Sequence, residues 1–188
     1  MKKAIIIISI LLLITLIVSI IMYREKLSNL IPDMTNSKLP TGDINKELTA
    51  TDLAFRKQFD ETDGQKAIEY IQGAYGKGLA TTIEKMLRLE TAHFKSKQYK
   101  LTGSAGMEVG GWQDIPKDSV VGHFVIKDNH DGHLGKFIVW NSPTDFAVYL
   151  AEYIKRHEGN FARWNSTNKA KQISYANEVD KIKTHFVV

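Results

Sequence analysis

The sequence contains no cysteine. A disulfide framework, a thiolate nucleophile and a cysteine-ligated zinc site are therefore excluded, and with them every cysteine-dependent peptidase mechanism. Excess charge of one sign is also scarce, since 25 Lys and Arg stand against 21 Asp and Glu, a formal net charge of +4 spread along the chain. That spread lacks the clustered basic footprint of a nucleic-acid-binding protein, so no nucleic acid partner is expected. The small positive excess would favour an anionic surface such as a cell wall. No internal repeat is present, and neither is the H-E-x-x-H zinc signature.

What the chain does have, at its start, is a long apolar run. Residues 4–22 read AIIIISILLLITLIVSIIM without a charge. At a helical rise of ~1.5 Å per residue the run covers ~28 Å, close to the ~30 Å hydrocarbon thickness of a bilayer. It is expected to span a membrane as a single helix. Lys2 and Lys3 before it would also suit a removable signal peptide. Such a peptide has an apolar core of about 7–15 residues followed by small residues, whereas Met22-Tyr23-Arg24-Glu25 follows here. Orientation is not decided by charge, because Arg24 and Lys26 offset the two lysines.

Residues 23–48 mix Ser, Asn, Pro, Thr and Gly with scattered charge and no apolar period, as a tether does. Residues 49–188 then form the expected domain, about 140 residues and enough for one core. Helices are predicted from Thr51-Asp52 through LAFRKQF, over QKAIEYIQGAY after a break at Asp63-Gly64, and over residues 79–92. Residues 95–118, rich in Gly and Lys, read as a long loop. The β-branched and aromatic runs 120–127 and 136–140 flank DNHDGHLG and predict a hairpin. Asn141-Ser142-Pro143 caps a further helix that ends at Gly159, and a last helix is placed from about Ser174. That last segment puts Tyr175, Val179, Ile182 and Phe186 on one face. The expected fold is mainly α with a small β-hairpin.

In the third helix Leu79, Ile83, Met86 and Leu87 follow the i, i+4, i+7, i+8 pattern, and Glu90 is the next member of that stripe. Either the stripe ends there, with Glu90 entering water or pairing with Arg88 or His93, or the helix delivers a carboxyl to the floor of a cleft. In the second case desolvation would raise its pKa and keep it protonated for general acid work.

The stretch LRLETAHF followed by TGSAGMEVGGW resembles the lysozyme-like superfamily of peptidoglycan hydrolases. In that superfamily a helix ends in a catalytic Glu and a Gly-containing loop lines the sugar cleft. The run from Gly103 to Met107 looks like the Gly-Leu-Met loop of lytic transglycosylases, with Ala105 shortening the pattern and Glu108 in place of the usual Gln. FIVWNSPTDFAVYLAEYI and the later Tyr175-Ala176 pair are similar to the bacterial glucosaminidase family. Together these motifs cover about residues 64–188. The resemblance implies a lysozyme-like α+β fold, peptidoglycan glycan strands as substrate, and no cofactor. It makes Glu90 the general acid and Tyr175 a contact to the reacting sugar, with Ser104, Gly106 and Met107 shaping the cleft. Trp112 and Trp140 would stack on sugars or pack in the core.

Glycosidases commonly use two carboxylates. Asp128 and Asp131 are candidates, although Asp131-Gly132 is also an ordinary turn pair. A lytic transglycosylase needs only one Glu, first as acid and then as base. Two other readings compete: a zinc peptidase using His123, Asp128, His130, Asp131 and His133, and a wall-binding structural protein without turnover. The substrate would place the domain on the extracytoplasmic side of a bacterial inner membrane or in the membrane of a phage particle. Protease added to intact spheroplasts is expected to digest residues 50–188, and protection of that domain would contradict the topology.

Overall fold

The computed structural model describes residues 42–110, 112, 114–127, 132 and 134–188. The expected membrane span and residues 23–41 of the tether lie outside them. Among the described residues no helix is long and apolar enough to cross a membrane.

The first helix, α1 (Ala50–Ala54), opens with a reciprocal capping box. The Asp52 N–H donates to Thr49 Oγ1 at 3.1 Å and the Thr49 N–H donates to the Asp52 carboxylate at 2.8 Å. The cap therefore sits at Thr49 rather than at Thr51, and the helix is far shorter than the apolar pattern suggested. Tertiary partners end it: Arg56 donates to the Trp140 carbonyl at 2.9 Å, and the Phe59 N–H donates to the Lys100 carbonyl at 3.0 Å.

Asp60 and Asp63 form a second capping box at the start of α2 (Glu61–Tyr75). Gly64 is thus the helix's fourth residue and not a break. Its reason for being glycine is packing, since a Cβ there would stand 2.6 Å from the Phe94 ring. Gly76, at φ +89°, turns the chain into α3 (Lys77–Glu90). Helix α2 packs on α3, and both pack on α5 (Pro143–Arg156). Ile68, Ile71, Ile83, Met86, Leu87, Phe146 and Leu150 fill the space between them. The Ser142-Pro143 start of α5 is as expected, with Ser142 Oγ accepting from the Asp145 N–H at 3.1 Å.

The stretch 95–118 contains a helix, α4 (Lys97–Thr102), capped by Ser96 and closed by Gly103 at φ +72°. Strands β1 (Val120–Lys127) and β2 (Leu134–Trp140) form an antiparallel hairpin in which Phe124 faces Phe137, with one irregularity between Val120 and Gly122. The folded part begins before residue 49. The Leu48 N–H donates to the His123 carbonyl at 2.8 Å, the His123 N–H donates to the Lys46 carbonyl at 2.9 Å, and Leu48 packs with Leu53 and Val139 in a second small core. The last helix, α6 (Lys169–Lys181), is capped by Asn168 and starts earlier than Ser174. Ile182 and Phe186 lie beyond its end. The described residues thus form a mainly helical α+β domain with one two-stranded hairpin.

Gly64→Ala tests the close approach of Phe94 to α2. On helix propensity alone Ala would gain up to about 1 kcal/mol. Overpacking typically costs about 1–3 kcal/mol, so a net loss of stability is expected in chemical denaturation. A stabilised variant would show that Phe94 yields freely.

Candidate functional site

Glu90 is the last residue of α3. Ile83, Met86 and Leu87 of that helix's apolar stripe are buried and Leu79 is half-buried, so the helix axis is fixed and its final carboxyl has little freedom to leave the domain. The chain then turns abruptly. Thr91 is fully buried, its hydroxyl donating to the Leu87 carbonyl at 2.5 Å and accepting from the Phe94 N–H at 2.8 Å. Ala92, His93 and Phe94 all take left-handed backbone angles, with φ of 49°, 58° and 66°. Such residues cost about 1–3 kcal/mol each and tend to gather at functional sites.

This turn opens a cleft of about 630 Å³ with Glu90 in its wall. Ala92, Gln98, Ala105 and Gly106 line it, and Ile126 and Phe137 come from the hairpin. Lys97 and Lys127 add two cations. Burial pushes the Glu90 carboxyl above the usual carboxylate range; the Tyr175 hydroxyl works against that shift, and the negative charge of Glu178 adds to it. Arg88 does not pair with Glu90. Its Nε donates to Glu84 at 2.8 Å, one turn back along the helix.

Tyr175 meets the Glu90 carboxyl but is not a wall of the cleft. It is buried, its ring packs 6.4 Å from that of Phe161, and burial followed by the Glu90 charge raises its hydroxyl far above the ordinary phenol range. Its hydroxyl leans on Glu90 without a partner in good hydrogen-bond geometry. Tyr175 therefore stands beside Glu90 behind the cleft wall and not in it, where the resemblance expected a contact to the sugar.

Gly106 lies in the cleft wall as expected, at φ +78°. Ser104 and Met107 do not present side chains there. Ser104 is buried with its hydroxyl 3.1 Å from that of Thr102, and Met107 is fully buried while its carbonyl accepts from the Ile138 N–H at 2.8 Å. From Thr102 to Met107 every residue except Gly106 is buried. Trp112 belongs to a separate hollow of about 410 Å³, where it packs against Trp164 with ring centroids 4.4 Å apart, beside Tyr153, Arg156 and Arg163. Trp140 is fully buried against Phe146 and Tyr149, a core residue.

Of the zinc candidates, His123 is buried and holds the Ile44 carbonyl with Nδ1 at 2.9 Å. Asp128, His130, Asp131 and His133 lie outside the described residues. Among the described residues no cluster of His, Asp and Glu is arranged to hold a metal ion.

Sequence reasoning missed Lys97, Gln98 and Lys127 in the cleft, and also Glu178. Glu178 stands three positions after Tyr175 on α6, and that spacing places neighbours on one helix face. The spacing was available in the sequence but had no meaning until Tyr175 was known to face Glu90.

The opposing influences on Glu90 give two shifts of opposite sign. A carboxyl that must be protonated to act loses activity as pH rises through its pKa. Tyr175→Phe removes an influence that lowers this pKa, so the alkaline limb of the activity profile should move to higher pH. Glu178→Gln removes one that raises it, so that limb should move to lower pH. Equal or same-direction shifts would show that Glu90 is not the titrating acid.

Compared with known proteins, the chain matches no family model, no curated protein and no solved structure.

Proposed function

We propose that this chain cleaves the glycan strands of peptidoglycan as a lytic transglycosylase, held to a membrane by residues 4–22 with its lysozyme-like domain on the extracytoplasmic side. The observation that carries the reading is the Glu90 carboxyl: it ends a rigid helix in a cleft wall, and burial raises its pKa. A neutral carboxylic acid can protonate a glycosidic oxygen. As that proton transfers, the bond from C1 to the glycosidic oxygen breaks and positive charge develops at C1. The Glu90 carboxylate then takes the proton of the 6-hydroxyl on the same muramoyl residue while its oxygen bonds to C1. No water is consumed, and the product carries a 1,6-anhydro ring.

Lys97 and Lys127 at the cleft suit a polymer whose peptide stems are rich in carboxylates. A second reading is hydrolysis, which releases a reducing end.

Mass spectrometry of digested sacculi separates the two, because the anhydro muropeptide is lighter than the reducing one by one water. The anhydro product is expected. Glu90→Gln keeps the shape of the side chain and removes the transferable proton, so turnover should fall by about 10²–10⁴-fold with the fold unchanged by circular dichroism. Near-native turnover in that variant would refute the assignment of Glu90.

A further inference from the structure

We infer that the hollow around Trp112 faces the membrane and takes the phosphate headgroup of an anionic phospholipid, with Arg156 and Arg163 on the phosphate and the Trp112 and Trp164 rings at the bilayer surface. This rests on reading residues 4–22 as a membrane span, and adds which side of the domain meets that membrane.

The hollow holds about 410 Å³ and shares no lining residue with the Glu90 cleft, so its occupant does not compete for that cleft. Its aromatic side is a joined cluster. Trp112 packs on Trp164 with centroids 4.4 Å apart, Tyr153 meets the two edge-on at 5.8 and 5.5 Å, and His157 meets Tyr153 at 4.4 Å. Trp164 also lies 5.7 Å from the buried Phe146, which fixes the cluster to the core. All four rings of the cluster are nevertheless only half-buried. Exposed rings that are gathered in one patch, and not scattered singly, mark an interaction surface. Rings with an apolar body and a polar N–H or O–H settle at the membrane–water interface.

The cations stand beside these rings. Arg156 and Arg163 are exposed at the hollow, and neither is ion-paired to a carboxylate among the described residues. Among those residues Asp114 is the one carboxylate lining the hollow. A guanidinium matches phosphate geometry and is weakly hydrated for a cation. The neighbouring hollow carries Asp145 and Glu152, so the positive character is confined to the Arg156 end of α5, which suits a single headgroup better than a broad anionic sheet. A free phosphate would use the arginines and leave the rings idle. A lipid uses both, because the acyl region behind its headgroup accepts the rings.

The start of the folded chain lies close by. The Gly42 N–H donates to the Lys117 carbonyl at 2.9 Å, and Ile44 and Ile115 line one hollow there. Trp112 precedes Lys117 by five residues, a reach of at most ~18 Å. Only residues 23–41 separate Gly42 from the apolar run, a length of chain that reaches at most ~70 Å. A domain held that near a bilayer meets it at high effective concentration, and the edge from which its tether leaves is the edge that carries Trp112.

The test uses the full-length chain in vesicles of phosphatidylcholine, and in vesicles of phosphatidylcholine mixed with phosphatidylglycerol, all brominated on the acyl chains next to the headgroup. Bromine quenches tryptophan only at short range. The tryptophans are Trp112, Trp140 and Trp164, and Trp140 is fully buried, so quenching reports on the hollow. Two arginines at an anionic leaflet favour contact roughly thirtyfold over a neutral one. Quenching should therefore be strong with phosphatidylglycerol and weak without it, and in the anionic vesicles it should be lost in the Arg156→Gln/Arg163→Gln double variant. The lipid comparison on the unchanged chain does not depend on the variant folding. Equal quenching in the two lipid mixtures, quenching in neither, or quenching that survives both glutamines would overturn the proposal. So would a change of tryptophan emission on adding inorganic phosphate without quenching in the anionic vesicles, which would make the hollow a site for a free anion. Flotation with phosphatidylcholine vesicles in alkaline carbonate tests the span separately. Flotation without quenching would remove the docking site alone, whereas quenching in anionic vesicles without flotation would remove the span and leave the docking site.

Discussion

Glu84 and Arg88 are one turn apart on α3, and both are buried. Arg88 Nε donates to the Glu84 carboxylate at 2.8 Å, and the same carboxylate accepts from the backbone N–H groups of His185 at 2.6 Å, Phe186 at 3.1 Å and Val187 at 3.2 Å. The Arg88 guanidinium lies 4.3 Å from the Phe186 ring centroid and 5.2 Å from that of Phe94. Removing two charges from water costs several kcal/mol per ion, and attraction between them compensates only when the remaining hydrogen-bonding capacity is also met. Here the tail meets it for Glu84, and two aromatic faces meet part of it for Arg88. The pair therefore fastens three segments at one place: the last turns of α3, the turn containing Phe94, and the chain's C-terminal residues. Loss of Arg88 would leave the buried Glu84 carboxylate without its cation, and loss of Glu84 would leave Arg88 only the exposed Glu61 at 3.5 Å; removing one partner of a buried pair costs about 3–5 kcal/mol in other proteins.

What this fastening makes possible is the turn after Glu90. Three successive left-handed residues without a glycine among them do not persist unless their surroundings hold them. Phe94 is the anchor, buried against the α2 face that Gly64 leaves open, with its ring 5.4 Å from that of Tyr99. Thr91 Oγ1 accepts the Phe94 N–H, and the Thr91 carbonyl accepts from the Lys95 and Ser96 N–H groups. The geometry of the cleft thus follows from the core beneath it. Ala92 reaches the cleft because Phe94 is pinned, and α4 starts where it does because the turn ends there.

Much of this was legible in the sequence. The spacing of Leu79, Ile83, Met86 and Leu87 identifies α3 and its inner face, and it points to Glu90 as the residue where the helix meets something else. Ser142-Pro143 marks the start of α5 in the same direct way. The parts that were not legible share a physical cause, which is that long-range contacts set them. A six-residue helix such as α4 is too short to display a period. Residues 42–48 carry the composition of a tether, and only their pairing with His123 makes them part of the fold. Gly64 reads as a helix break to any local rule, and its real reason is a ring from a distant turn. Tyr175, Ser104 and Met107 sit close to the expected place in the chain, but periodicity does not say which way a side chain near a turn will face. Their inward orientation is settled by the core they complete.

The electrostatics of the cleft divide into two kinds of charge with different reach. Glu90 is moved by what touches it: burial first, then the Tyr175 hydroxyl, then Glu178 on the neighbouring turn of α6. Lys97 and Lys127 line the same cleft and are not among the groups that shift it. Exposed charges lose most of their mutual influence within a Debye length of about 8 Å at physiological ionic strength, whereas burial acts at any salt concentration. Exposed cations can therefore line the cleft without undoing the rise that burial gives the Glu90 pKa. Had the same lysine sat against Glu90, it would have opposed that rise, since a neighbouring cation favours the carboxylate. Separation of the cations from Glu90 leaves burial as the largest influence on that carboxyl in a cleft that also carries two lysines.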